Sequence, residues 1–232
     1  MKEEKYIDFL SNISIFENFT EEELESLLEI VIHKKYPKNY TIVRHNDLGD
    51  SMFIIMKGKV KISLFSESGR EVIIDVLEGK SFFGEMALID EMPRSANVIT
   101  MSDVDTLMIK RDNFIELMMH HPNISLNILK VIVKRLRKAD ATITSLSIHD
   151  VTGRIAKFIT SIFLEKKIPL IDNAPTEFKY THKDIGARVG ATRESVTRAL
   201  NKMINQKIIS LNNKQLVVYD SERLIDSFQK SD

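Results

Sequence analysis

The sequence predicts an α+β chain in three parts: a β-roll (jelly roll) over residues 1–120, a long helix over 121–149, and a winged helix-turn-helix over 150–232. Three observations carry this. Short alternating or β-branched runs between His33 and Lys110 are punctuated by Gly49, Gly58, Gly69 and Gly79 at intervals of 9, 11 and 10 residues, the turn spacing of an all-β roll. Leu129, Ile132, Leu136, Ala139, Ile143 and Leu146 then recur at 3, 4, 3, 4 and 3, a heptad period. Finally, two cappable helical stretches meet at Gly190 and are followed by a hairpin pattern.

In chain order, Thr20 stands three residues before Glu23, a capping-box pattern, so a helix is expected there with Leu24, Leu27, Leu28 and Val31 on its buried side. Strands are expected at Tyr40–Val43, Met52–Met56, Val60–Phe65, Val72–Leu77, Val98–Thr100 and Val104–Ile109. Asp112 is placed to open a short helix and Pro122 to occupy the first turn of the long one. A heptad seam as narrow as that of the long helix calls for a partner helix, with Lys134, Arg135, Arg137 and Lys138 off it.

Residues 151–166 carry Ile155, Phe158, Ile159 and Ile162 at helical spacing, and Pro169 to Pro175 reads as a connection. Thr181 to Asp184 caps a helix ending at Val189, and Thr192 caps a second one running from Arg193 to about Gln206. Ile208–Tyr219 reads as a wing turned at Asn212-Asn213.

Two stretches carry chemistry. In Phe82–Val98, Gly84 lets the backbone approach an anion, the run from Glu85 to Ile89 offers a helix N-terminus, and Arg94 beside Ser95 offers a planar fork of donors. Glu85 would repel a phosphate, so it suits a sugar hydroxyl, and the set suits a ribose phosphate. The plainer alternative is a turn in which Glu85 and Arg94 pair with each other. In the second helix of the helix-turn-helix, Arg193, Glu194 and Arg198 occupy the first two turns, where a recognition helix meets base edges. Arginine can bond guanine in bidentate fashion and glutamate can accept from the cytosine amino group, each worth roughly 1–3 kcal/mol of discrimination. Val196, Leu200 and Met203 face inward, while Lys183, Arg188, Lys202 and Lys207 suit phosphate contacts.

Both stretches resemble the CRP/FNR transcription regulators, and the resemblance extends from about residue 10 to Tyr219. Gly84, Glu85, Arg94 and Ser95 match that family's phosphate-binding cassette, and Asp150–Ala156 resembles the segment after the dimer helix in its cyclic-AMP receptor branch. Arg193-Glu194-Ser195-Val196-Thr197-Arg198 matches that branch's recognition motif. The resemblance implies a homodimer gated by a cyclic nucleotide, cyclic AMP first, with RNA polymerase and double-stranded DNA as partners and a TGTGA-like inverted repeat as target. The implied effector site is Gly84, Glu85, Met86, Arg94, Ser95, Ala139 and Asp140; the implied DNA-reading set is Thr192, Arg193, Glu194, Thr197 and Arg198. One departure stands out. Ala139 and Asp140 occupy the positions where the branch presents a Thr-Ser pair to adenine. Asp140 can accept from the adenine amino group or take two bonds from a guanine edge, and it can equally be a solvated helix-face residue. Cyclic GMP, cyclic di-GMP or no ligand therefore stay open as inputs, as does a role as a nucleotide-binding regulatory subunit for a protein partner.

Composition narrows the classes further. The 33 basic and 33 acidic residues cancel, but from residue 150 onward 14 Lys and Arg face 10 Asp and Glu, leaving 19 against 23 before it. Cysteine is absent, which excludes disulfides and any cysteine-held zinc or iron–sulfur centre. Five of the six histidines (His33, His45, His120, His121, His149) show no spacing for haem ligation, and no catalytic constellation is evident, so no metal and no enzymatic activity are expected. Without an apolar run near eighteen residues or a signal-like N-terminus, the chain is expected in the cytoplasm, with no membrane partner.

Overall fold

A computed structural model describes residues 2–212 and 214–229. The chain forms two compact units, Met1–Leu136 and Arg137–Asp232, and the division falls within the long helix.

The first unit begins with α1 (Lys2–Ser11), a 3-10 turn (Ser14–Phe16) and α2 (Glu21–Ile30). The capping box forms as expected: the Thr20 hydroxyl accepts from the Glu23 N–H at 3.3 Å, and the Glu23 carboxylate accepts from the Thr20 N–H at 2.7 Å. Val31 departs from expectation. It leaves the helix and opens β1 (Val31–Tyr36), which pairs along its whole length with β8 (Val104–Lys110). Pairing with a distant strand outweighs one more apolar position on α2, and the exposed Lys34 and Lys35 keep this edge strand from recruiting another.

The remaining strands are β2 (Thr41–Val43), β3 (Ser51–Lys57), β4 (Lys59–Phe65), β5 (Glu71–Glu78), β6 (Phe82–Phe83) and β7 (Asn97–Thr100). They form two antiparallel four-stranded sheets in the orders β1-β8-β3-β6 and β2-β7-β4-β5. The two-residue period of a strand explains the core. Met52, Ile54, Phe82, Leu107 and Ile109 face the helices, packing with Leu10, Phe16, Leu24 and Phe114. Their neighbours Phe53, Ile55, Phe83 and Val104 face the second sheet, packing with Val43, Val60 and Val98. Phe82 and Phe83 thus root in different cores, which anchors the chain immediately before Gly84. After β6 come α3 (Met86–Ile89) and, beyond β8, α4 (Arg111–His120), which starts at Arg111 with Asp112 inside its first turn rather than capping it.

The long helix α5 spans Pro122–Ile148. Ile124, Asn127 and Ile128 are buried against the roll, while Leu129, Leu136 and Ile143 are 55%, 59% and 62% exposed. The expected seam needs one correction: Ile132 packs against its own roll, and the exposed apolar strip instead takes in Leu126 and Val133. Ile132 is eight residues after Ile124 and four after Ile128, so it shares their face.

In the second unit, α6 (Val151–Glu165) is capped by the Asp150 carboxylate, which accepts from the Gly153 N–H at 2.8 Å. β9 (Ala174–Glu177), α7 (His182–Val189), α8 (Arg193–Asn205), β10 (Ile209–Asn212), β11 (Gln215–Val218) and α9 (Ser221–Gln229) follow. Ala174–Glu177, whose first two residues were expected to end a connection, is an edge strand in the order β10-β11-β9; Pro175 is tolerated there because an edge leaves its missing N–H unused. The wing forms, with Leu211 opposite Leu216, and Asn213 of its expected turn lies outside the described residues. The helix α9, which sequence patterning did not reveal, buries Leu224 in the core shared by α6 and α8, and Asp172 accepts from the Ser221 N–H at 2.8 Å. Among the described residues no helix is long and apolar enough to cross a membrane.

Candidate functional site

The cassette is built where β6 ends. Gly84 has φ +87°, and a Cβ there would stand 2.8 Å from Arg94 Nη1 and 3.0 Å from the Ser51 carbonyl, so no other residue fits without displacing Arg94. Arg94 is only 6% exposed. Its Nη1 donates to the Gly84 carbonyl and its Nη2 to the Ser51 carbonyl, both at 2.7 Å, while its backbone N–H donates to the Asp47 carbonyl at 2.9 Å. Burial lowers the pKa of this guanidinium, and the carboxylates of Asp50, Glu85 and Asp47 pull it back. Gly49 belongs to the same arrangement: a Cβ there would lie 2.7 Å from the Arg94 Cζ and 2.6 Å from the Ala87 Cβ. Gly49→Ala is therefore expected to push the guanidinium out of its seat and weaken effector binding about tenfold, read by calorimetric titration.

Glu85 is 1% exposed. Its Oε1 accepts from Arg135 Nη1, whose Nη2 donates to the Phe82 carbonyl at 2.6 Å and whose guanidinium lies 5.1 Å from the centre of the Phe82 ring. The acid of the cassette thus pairs with Arg135, which overturns the plainer alternative of a Glu85–Arg94 pair. Glu85 Oε2 is buried with no hydrogen-bond partner in the chain. Met86 is 48% exposed, and the exposed Ser95 places its hydroxyl 3.8 Å from the Met86 sulfur. Ala139 and Asp140 are exposed on the part of α5 that belongs to the second unit. Arg135 escaped sequence reasoning because it read as one of four cations beside a seam. Its signal was the buried face itself: Ile124, Ile128, Ile132 and Arg135 follow one another at 4, 4 and 3.

The C-terminal unit places the other set. Thr181 and Asp184 form a reciprocal capping box on α7, and Gly190 turns the chain in the left-handed conformation at φ +67°. The Thr192 hydroxyl caps α8 by accepting from the Ser195 N–H at 3.2 Å. Val196, Ala199, Leu200 and Met203 are buried, so Arg193, Glu194 and Arg198 are exposed on the opposite side, as their spacing requires. Glu194 is held below the ordinary glutamate range by hydrogen bonds from its own backbone N–H and the Thr192 hydroxyl, with Arg193 and Arg198 adding to the effect. Arg198 Nη2 donates to the Ser195 hydroxyl at 3.2 Å. Thr197 is not a free hydroxyl: it donates to the Arg193 carbonyl at 2.9 Å and lies 2.8 Å from His182 Nδ1. The Arg188 guanidinium lies 5.2 Å from the Tyr180 ring centre and 5.9 Å from that of Phe158. Lys183, Lys202 and Lys207 are exposed. Among the described residues no group of three or more His, Asp or Glu side chains is arranged to hold a metal ion.

Two family models match the chain: the cyclic nucleotide-binding domain over residues 33–121 and the Crp-like helix-turn-helix domain over residues 153–227. The cAMP-activated global transcriptional regulator CRP of Pasteurella multocida is 31% identical, covering 81% of this chain and 90% of its own. The CRP-like cAMP-activated global transcriptional regulator of Mycobacterium tuberculosis is 28% identical, covering 94% and 97%. Among solved structures, the c-di-GMP-responsive global regulator CLP of Xanthomonas campestris superposes with a TM-score of 0.74 at 22% identity over 84% of this chain and 97% of that one, a likeness of fold.

Proposed function

This chain belongs to the CRP family of cyclic-nucleotide-responsive transcription regulators, and on that premise we propose that it is a homodimer gated by cyclic AMP that reads a TGTGA-like inverted repeat. The observation that carries the effector reading is the buried, unpartnered Oε2 of Glu85 beside Gly84 and Arg94. A buried acceptor without a donor costs about 1–3 kcal/mol, and a ribose hydroxyl is the donor such a site suits. Two of the five donors of Arg94 go to backbone carbonyls, which leaves the others for the cyclic phosphate, together with the first turn of α3, Met86 and the exposed Ser95 hydroxyl. Relatives named for activation by cAMP, at 31% and 28% identity, support that nucleotide over others.

The apolar strip of α5 is the proposed dimer surface. Asp140 falls one heptad after Val133 on that strip, and a carboxylate on an apolar seam needs a donor. In this reading the donor is the adenine amino group, with Ala139 beside it. Asp140→Ala is expected to narrow the preference for cyclic AMP over cyclic GMP by about tenfold; an unchanged ratio of the two affinities would remove Asp140 from the site. Ligand acts by binding the DNA-competent dimer more tightly than the other state.

In the helix-turn-helix, Arg198 is assigned to guanine, Glu194 to the cytosine amino group, and Arg193 to the operator beside the Thr192 cap. RNA polymerase is the proposed partner of the bound dimer. The whole reading is tested by titrating the protein calorimetrically with cyclic AMP, cyclic GMP and cyclic di-GMP while measuring operator affinity with each. Cyclic AMP is expected to bind and to strengthen operator binding. Operator binding that no nucleotide alters would contradict gating. Glu194→Ala is expected to relax selection at one base pair of the half-site by roughly 1–3 kcal/mol; an equal loss on all sequences would contradict base reading.

A further inference from the structure

We propose that Thr197 reads a thymine in each half-site through its methyl group, with its hydroxyl held inside the protein by His182. The inference rests on the assignment of α8 as the DNA-reading helix. Thr197 follows Arg193 by four positions and Glu194 by three, and it immediately precedes Arg198, so it sits on the stripe that those three exposed side chains define. A threonine on such a stripe can offer either its hydroxyl or its methyl, and the hydrogen bonds decide between them.

The hydroxyl carries one hydrogen, and it is spent on the Arg193 carbonyl at 2.9 Å. The 2.8 Å contact with His182 then requires the proton on Nδ1, so the imidazole donates and the oxygen accepts. These two bonds turn the oxygen back toward its own helix and toward α7, which leaves Cγ2 as the outward substituent of Cβ. The acceptors of the major groove (guanine O6 and N7, adenine N7, thymine O4) all need a donor, and Thr197 has none left; the donors there (adenine N6, cytosine N4) would need its oxygen, which the bonds to the Arg193 carbonyl and His182 hold back toward α8 and α7. A methyl group meets one complementary feature there, the C5-methyl of thymine. His182 acts as a positioning residue: it fixes which face of Thr197 is presented and touches no base in this assignment.

The test uses full-length protein with cyclic AMP and an operator obtained by selection from random duplexes. Each thymine of the half-site is replaced in turn by uracil, which removes only the 5-methyl group. At one thymine this is expected to weaken binding by the wild type and by Thr197→Val about fourfold, the worth of one buried methyl group. Thr197→Ser is expected to bind the thymine operator about as weakly as the wild type binds the uracil one, and to ignore the substitution. His182→Ala is expected to shrink the uracil effect while leaving the Arg198-dependent guanine preference intact, a split that general loss of folding would not give. If Thr197→Val loses affinity while Thr197→Ser keeps it, the hydroxyl is the reader and the proposal is overturned. A uracil effect equal in wild type and Thr197→Ser at every position overturns it as well. If selection yields no operator, or Arg198→Ala leaves the selected sequence unchanged, the DNA-reading assignment of α8 fails and the role of Thr197 falls with it.

Discussion

Replacing Arg135 with Leu is expected to destabilise the β-roll by about 3 kcal/mol, because it strips the partner from a carboxylate that has almost no contact with water. Glu85 is 1% exposed and its Oε2 already lacks a donor, so the loss of the Oε1 bond leaves the group with neither protein nor solvent to hold its charge. Arg135 is 31% exposed, which places the effect at the low end of the range for buried pairs. The Phe82 carbonyl loses its Arg135 donor at the same time. Urea denaturation of the apo protein measures this, and Glu85→Gln in the same chain separates the causes. With the charge removed, Arg135→Leu is expected to cost about half as much, a coupling of about 1.5 kcal/mol in a double-mutant cycle. Additive effects would mean that the pair contributes by packing alone.

Arg94 carries the second large effect. Arg94→Leu leaves the carbonyls of Gly84 and Ser51 without their donors, at about 1–3 kcal/mol each, and removes the cation proposed to hold the cyclic phosphate. That variant confounds folding with binding, so Arg94→Lys is the informative one. Lysine keeps the charge but is a point donor and cannot serve both carbonyls and a phosphate in one plane. The lysine variant is expected to remain folded, with its midpoint in urea lowered, and to lose about 10–100-fold in affinity for cyclic AMP, the worth of one charged hydrogen bond or slightly more. Retention of full affinity would show that the guanidinium holds up the β6–α3 corner and does not touch the ligand.

Both predictions concern bonds that join distant parts of the chain, and that is where legibility in the sequence stops. The residues of the cassette were legible because glycine, a short helix and an Arg-Ser pair within a few positions report a local backbone shape. Their partners were not. Arg94 donates across 43 residues to Ser51, and Glu85 accepts across 50 from Arg135. Nothing in the heptad pattern of α5 distinguishes Arg135 from Lys134 or Arg137 until the helix is laid on the roll. Thr197 gives the same lesson at shorter range, since the partner of its hydroxyl is set by how α7 and α8 cross.

What the sequence by itself determined is everything governed by period and cap: the β-roll with its glycine turns, the long helix starting at Pro122, the capping boxes at Thr20 and Thr181, and the capped α8 with its polar stripe. These follow from strand alternation, helical repeat and the unsatisfied N–H groups of a first turn, all of which act within a few residues. Only the tertiary structure decided that Val31 starts a strand, that Ile132 turns inward and Val133 outward, that α9 closes the second core, and that the cassette's acid and base hold separate partners. Each of those depends on which surfaces meet after the chain has folded, and the free energy that settles them comes from burying groups far apart in sequence.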